Sequence, residues 1–180
     1  TQKGTKMKLS ISYTIKLHDR DEIQSNDEQI TPLQIIEKIR NKEFPKYTIT
    51  YIDSKIVEKE NHIILNANND IDANVKGGGI YFILSAEGDR LLYVGKSKSL
   101  KTRLGQHLCK CPEKTYSHIF DVQKYLERRE KNNKALEINY CVINTEKNNH
   151  NATIEGAIID YILCQQDNDF LSECWNKRAD

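Results

Sequence analysis

The sequence predicts an α+β fold in which antiparallel strands are flanked by helices. Two short runs, Gly79–Leu84 and Arg90–Gly95, are separated by the turn-forming segment Ala86–Asp89. Runs rich in β-branched and aromatic residues and bounded by Gly and Asp are typical of a β-hairpin. Leucines at four-residue steps after the hairpin predict a helix, and a later alternating run predicts a third strand.

The first 75 residues predict an N-terminal α/β elaboration. Leu9 to Leu17 alternate apolar with mostly polar residues, as a strand does. The segment Thr31–Gln34 is a helix-start signal with an N-cap threonine, a proline at the first helical position and a glutamine that closes a capping box. Two further strands are predicted over residues 47–52 and 62–65.

The second half of the chain predicts three helices around the hairpin and its third strand. The helix after the hairpin begins near Leu100 and buries the stripe Leu100, Leu104 and Leu108. A charged amphipathic helix is predicted over residues 119–131. A third core strand follows over 136–142, and an apolar stripe at helical spacing predicts a helix over 154–162.

Basic residues are concentrated directly after the hairpin. The whole chain has a net charge of +1, but residues 96–134 hold eleven Lys and Arg against four Asp and Glu. Because neutralising a phosphate backbone releases counterions, this placement favours a nucleic-acid partner. No membrane-spanning stretch and no secretory signal are expected. Five cysteines fit no secreted disulfide scaffold, which favours reduced thiols in the cytoplasm.

A candidate anion site lies at the end of the hairpin. Tyr81 and Tyr93, on paired strands, present two phenol hydroxyls on one face. Lys96 follows the second strand, and Arg103 and His107 are four residues apart on one face of the next helix. Two phenols, an ammonium, a guanidinium and an imidazole suit a phosphodiester.

These residues carry a resemblance to a known family. Gly79-Ile80-Tyr81 and Tyr93-Val94-Gly95, followed by Lys96, Arg103 and His107, resemble the motifs of the GIY-YIG nuclease family, with valine for isoleucine in the second motif. The resemblance covers roughly residues 77–176. It implies a nuclease core with a three-stranded antiparallel sheet over residues 76–180, preceded by the elaboration over 1–75.

The resemblance also implies a metal site. In this family a glutamate on a later helix holds one divalent ion, and Glu155, expected in the first turn of its helix, is the matching residue. One carboxylate suffices for Mg²⁺, with Mn²⁺ as a substitute, if water and phosphate oxygens complete the octahedron. Asn176 resembles the asparagine that ties the site together, although Asn168 is nearer the usual spacing.

The residue types allow a division of labour in phosphodiester hydrolysis. Arg103 is expected to stabilise charge on a non-bridging oxygen. Tyr81 is the expected base, with Lys96 lowering a phenol pKa that is ordinarily near 10. Tyr93 would hold the water or a phosphate oxygen, and His107 is the rival base. Further contacts to DNA are expected from Lys98, Lys101, Arg128 and Arg129.

The expected function is metal-dependent hydrolysis of double-stranded DNA by a type II restriction endonuclease. A compact chain with one N-terminal addition fits that class by analogy of architecture. A homodimer is expected, with residues 1–75 supplying dimer contacts, base readout or both. The alternatives are a structure-specific DNA repair nuclease and a DNA-binding module that has lost catalysis.

Overall fold

A computed structural model describes residues 9–10, 28–29, 31–115, 117–145, 147–165 and 168–176. Most of the strand predicted from Leu9 to Leu17 lies outside the described residues. Its first two residues, Leu9–Ser10 (β1), pair in parallel with Glu28–Gln29 (β2).

The remaining strands form one antiparallel sheet of six strands. In chain order they are β3 (Tyr47–Lys59), β4 (His62–Ala67), β5 (Gly79–Leu84), β6 (Leu91–Ser97), β7 (Lys110–Pro112) and β8 (Glu137–Asn144). The helices are α1 (Pro32–Arg40), α2 (Leu100–Leu108), α3 (Ser117–Lys131) and α4 (Asn151–Cys164), with short 3₁₀ turns at Glu113–Thr115 and Asn148–His150. The spatial order of the strands is β6-β5-β8-β3-β4-β7.

The expected three-stranded core is only half of this sheet. Strands β5, β6 and β8 pair antiparallel, but the sheet continues through β3 and β4 of the N-terminal segment to β7. Strand β3 pairs with the edge that β8 would otherwise leave open, from Tyr47 opposite Tyr140 to Thr50 opposite Glu137. Ile49, in the middle of that pairing, is fully buried. An edge with unpaired backbone groups is a liability, and β3 removes it.

Helix α1 begins as the sequence predicts. The Thr31 hydroxyl accepts a hydrogen bond from the Gln34 amide at 3.2 Å, and the Gln34 side chain accepts one from the Thr31 amide at 2.9 Å. This capping box satisfies two amides that a helix start leaves without partners. The helix then buries Ile35, Ile36 and Ile39.

Two hydrophobic cores cover the two faces of the sheet. On one face, α2 and α3 pack their apolar residues, including Leu104 and Leu126, against the sheet. On the other face, α1 and α4 do so through Ile35 and Ile158, among others. Strand β5 is buried along its whole length because it contributes alternate side chains to each core.

The register of the hairpin is regular between its two tyrosines and is interrupted only beyond Tyr93. Ile83 lies opposite Tyr93 and Leu84 lies opposite Leu91, so Leu92 is left over as a bulge. Tyr81 lies opposite Gly95 in the same ladder. Tyr81 and Tyr93 therefore lie diagonally on the face that carries α2, as the hairpin prediction requires.

Candidate active site

The Tyr81 phenol lies directly over Gly95 of the neighbouring strand. A Cβ atom at Gly95 would overlap the Tyr81 ring atoms Cζ, Oη and Cε1. Tyr81 is only 1% exposed, so the ring has no room to give way. Glycine at this position is therefore a steric requirement for the placement of the Tyr81 hydroxyl.

The hydroxyl of Tyr81 meets the imidazole of His107 across the face of the sheet. Tyr81 Oη and His107 Nδ1 are 3.2 Å apart, and both side chains are buried. Arg103 acts on the same phenol and lowers its pKa, and the direction of the bond between the phenol and Nδ1 depends on the tautomer of the imidazole. The Tyr93 ring closes the group, with its centroid 6.0 Å from that of Tyr81 and 4.7 Å from that of His107.

Glu155 reaches this group from the opposite face of the sheet. Its helix, α4, packs beside β6, which is the edge strand. The carboxylate accepts a hydrogen bond from the Lys96 backbone amide and feels the charges of Lys96 and Arg103. Since α4 begins at Asn151, Glu155 lies one turn further into the helix than expected from the sequence.

Burial dominates the ionisation of the tyrosine and histidine. It raises the pKa of Tyr81, with Tyr93 adding to the effect and Arg103 opposing it. The charge that favours a Tyr81 phenolate is therefore that of Arg103, whereas Lys96, which is exposed, acts on Glu155. Burial also holds the pKa of His107 well below its usual range, and His118 and Arg103 lower it further. Both groups are consequently neutral near pH 7.

Asn176, and not Asn168, lies beside the site. The Asn176 side chain accepts from the Val94 amide at 2.8 Å and donates to the Val94 carbonyl at 2.9 Å, so it clamps β6 between Tyr93 and Gly95. Asn168 instead accepts hydrogen bonds from Arg40 and from the Phe170 amide near α1.

The four cations expected to contact DNA have different surroundings. Lys98, Lys101 and Arg128 are exposed. Arg129 is 8% exposed, and its guanidinium donates two hydrogen bonds to the Glu87 carboxylate and one to the Ala135 carbonyl. These internal contacts occupy the donors that a phosphate would need.

His118 also belongs to the site, although no sequence motif predicts it there. It lies in the first turn of α3, half-buried, with its ring centroid 5.1 Å from Tyr93 and 5.3 Å from His107. Burial and Arg103 lower its pKa. Its only sequence signal is a second histidine in the basic segment, because the fold of α3 onto β6 cannot be read from local periodicity.

The donor set fits a single hard cation. Among the described residues no cluster of three or more His, Cys, Asp or Glu is positioned to enclose a metal. Glu155 stands alone, and burial raises the pKa of its carboxyl, so a cation would compensate the desolvated negative charge. One carboxylate suffices for Mg²⁺ when water and phosphate oxygens complete its octahedron.

The geometry thus unites Tyr81, Tyr93, Arg103, His107 and Glu155 at the edge of a sheet, in the order and spacing of a known catalytic domain. Residues 77–159 match the GIY-YIG catalytic domain. The match supports the GIY-YIG nuclease family and indicates an endonuclease that acts on DNA. GIY-YIG nucleases typically use divalent metals. No curated protein and no solved structure matches the chain significantly.

The matched residues cover strands β5 to β8, helices α2 and α3 and the first nine residues of α4. Asn176 and strands β3 and β4 lie outside them. Across the part of the chain that the structure describes, no helix is long and apolar enough to cross a membrane.

Proposed function

We propose that the protein is a Mg²⁺-dependent type II restriction endonuclease that hydrolyses double-stranded DNA as a homodimer in the cytoplasm. The observation that carries the catalytic part is the hydrogen bond of 3.2 Å between the Tyr81 hydroxyl and the neutral His107 imidazole. The two candidate bases act as a pair, because burial disfavours a free phenolate and makes proton transfer to a neighbour the easier route.

Tyr81 accepts a proton from the attacking water while its own proton passes to His107 Nδ1. The negative charge of the bound phosphate favours the imidazolium that results. Tyr93 orients the water or a phosphate oxygen through its hydroxyl. No phenolate has to form in the free enzyme, which removes the need for an external charge to lower the pKa of Tyr81.

Arg103 and Glu155 act on the phosphate. The Arg103 guanidinium donates to a non-bridging oxygen and stabilises charge that develops there. Glu155 would hold the divalent ion, which when bound supplies Lewis-acid stabilisation of the phosphoryl and leaving oxygens. Lys96 and its backbone amide keep the carboxylate of Glu155 oriented. Asn176 holds β6 in place behind both tyrosines.

The dimer follows from the number of sites. One catalytic domain cuts one strand, and a two-fold symmetric site in duplex DNA presents two equivalent phosphates. Residues 1–75 are the segment proposed for dimer contacts or base readout. The five cysteines are free thiols in the structure, a state that a reducing compartment maintains.

One experiment separates this function from its alternatives. The protein is incubated with a long duplex and Mg²⁺, and with flap and junction substrates of the same sequence. Discrete fragments from the duplex support a restriction enzyme, whereas cleavage at flaps or junctions alone supports a repair nuclease. If the protein binds these substrates and cleaves none of them, the result supports a DNA-binding module that has lost catalysis. Glu155→Gln is the matched control, because it keeps the side-chain shape and removes the charge.

A further inference from the structure

Trp175 forms one wall of a cleft beside the catalytic group. It is the only tryptophan in the chain. A cleft of about 290 Å³ lies between the second half of α3 and the turn that joins β5 to β6. Its apolar surface comes from Leu92, Tyr125 and Trp175, with the two ring centroids 6.4 Å apart and the rings steeply inclined. A second hollow on the α3 side of Trp175 is lined by Lys124 and Arg128 and by the acidic residues Asp121 and Glu127.

The three acidic residues of the cleft are paired with two of its arginines. The Glu87 carboxylate receives two hydrogen bonds from Arg129, at 2.8 and 3.0 Å. Arg90 donates to Glu173 at 2.9 Å and also lies 3.7 Å from Asp89.

The remaining cations of the cleft are Arg128 and Lys134, and neither makes an ion pair with any described residue. An aromatic wall next to two cations of this kind is complementary to a base with its phosphate.

Two elements connect the cleft to the catalytic group. The Trp175 amide donates to the Leu92 carbonyl at 2.6 Å, one residue before Tyr93. Helix α3 runs from His118, which packs on Tyr93, to Arg128 at the cleft. Ten helical residues span about 15 Å, so a strand that leaves the site along α3 reaches Trp175 within a few nucleotides.

We propose that this cleft binds an unstacked nucleobase of the strand being cut, with the base on the Trp175 indole and its phosphate on Arg128 and Lys134. The inference rests on the proposed nuclease function and adds a second contact to it. A base inside a duplex has both faces covered by its neighbours, so this base is unpaired in the substrate or is extruded by the protein. The cleft therefore detects strand separation within a few nucleotides of the scissile phosphate.

The single tryptophan allows a direct test on the full chain. Glu155→Gln protein is titrated with a short oligothymidylate and with an abasic oligomer of the same length, which has the same phosphates and no bases. Tryptophan emission reports contact with Trp175, and anisotropy of a labelled oligomer reports binding. We expect oligothymidylate to quench the emission and the abasic oligomer to leave it unchanged.

Variants then separate the contact with the base from the contact with the phosphate. Trp175→Ala should weaken oligothymidylate binding roughly tenfold or more, whereas Trp175→Phe, which keeps an aromatic face, retains most of it. Arg128→Gln should lower the salt dependence of binding by about one unit of slope. Lys59→Gln is the matched control for lost charge, since Lys59 is exposed at the far end of β3.

Three outcomes would overturn the inference. Oligothymidylate that binds without changing the emission excludes Trp175 from the contact and leaves the nuclease function intact. Equal quenching by both oligomers shows proximity of phosphate without base stacking. Failure to bind any DNA, single-stranded or duplex, contradicts the proposed function together with the cleft.

Discussion

Replacing Gly95 by alanine tests the packing that places the catalytic phenol. The added methyl group would overlap the Tyr81 ring, which is 1% exposed and cannot move aside. Inserting a methyl group into a packed core costs about 1–3 kcal/mol, which for a chain of this size lowers the melting temperature by about 2–12 °C. The backbone is not the cause, because glycine in a strand is ordinarily less favourable than alanine.

The same change should impair cleavage more than folding. The Tyr81 hydroxyl must stay within 3.2 Å of His107 Nδ1, and a shift of about 1 Å in a catalytic group costs roughly a hundredfold in rate. Thermal unfolding and single-turnover cleavage are measured on the same preparation. Gly156→Ala is the matched control, since a Cβ there meets nothing within 4 Å. It should be about 0.4–1 kcal/mol more stable than the parent.

A double-mutant cycle with Tyr81→Ala isolates the contact. Once the ring is gone, the alanine at position 95 should cost little, which gives an interaction energy of about 0.5–3 kcal/mol. If Gly95→Ala matches the parent protein in melting temperature and cleavage rate, the close approach of the two strands does not position Tyr81. An equal cost in both backgrounds would refute the reasoning as well.

Four further predictions concern the metal, the bases, the pH dependence of stability and the assembly. Glu155→Gln should abolish cleavage and the rise in melting temperature that Mg²⁺ gives the parent, while DNA binding by anisotropy persists; a variant with near-parental cleavage would remove Glu155 from the site. Tyr81→Phe and His107→Ala should each lose roughly a hundredfold or more, and full activity of either variant would break the proposed pair. Burial keeps the pKa of His107 below its unfolded value, so the unfolded state binds a proton at a higher pH than the folded state does. The contribution of His107 to stability should therefore be complete above about pH 6.5 and should fall as the pH drops towards the folded pKa. Calorimetry at several pH values should show a smaller loss of stability in His107→Gln. Sedimentation on a short cognate duplex should show two protomers per duplex; one protomer with one nicked strand would refute the dimer.

The local elements of the fold could be predicted because their signals are local. The capping box at Thr31 defines the start of α1, and the leucine stripe of α2 defines its buried face, without tertiary information. The hairpin is set by its turn and its β-branched runs. The extent of the sheet could not be predicted in this way. Pairing of β3 with β8 joins residues about ninety positions apart, and no local pattern specifies it.

Residue types and their spacing predicted only part of the candidate site. Tyr81, Tyr93, Arg103, His107 and Glu155 meet because the hairpin and two helix faces are regular. His118 and Trp175 were missed as members of the site because their roles depend on how α3 and the C-terminal segment pack on β6. That Lys96 acts on Glu155 could not be predicted from the sequence either, because the neighbouring helix sets the direction of a side chain at the end of a strand.

The outer edge of β6 has a consequence for the assembly state of a shortened chain. Along this edge the Leu92 carbonyl, the Val94 backbone and the Lys96 amide are taken in turn by Trp175, Asn176 and Glu155. Alternate residues of a strand lie about 6.6 Å apart, so the strand sets the spacing of the three groups that bind along its edge. A chain that ends before Trp175 would expose a strand open to pairing with another molecule, and self-association would accompany the loss of the site. The C-terminal segment therefore also protects the edge of β6 from pairing with another molecule.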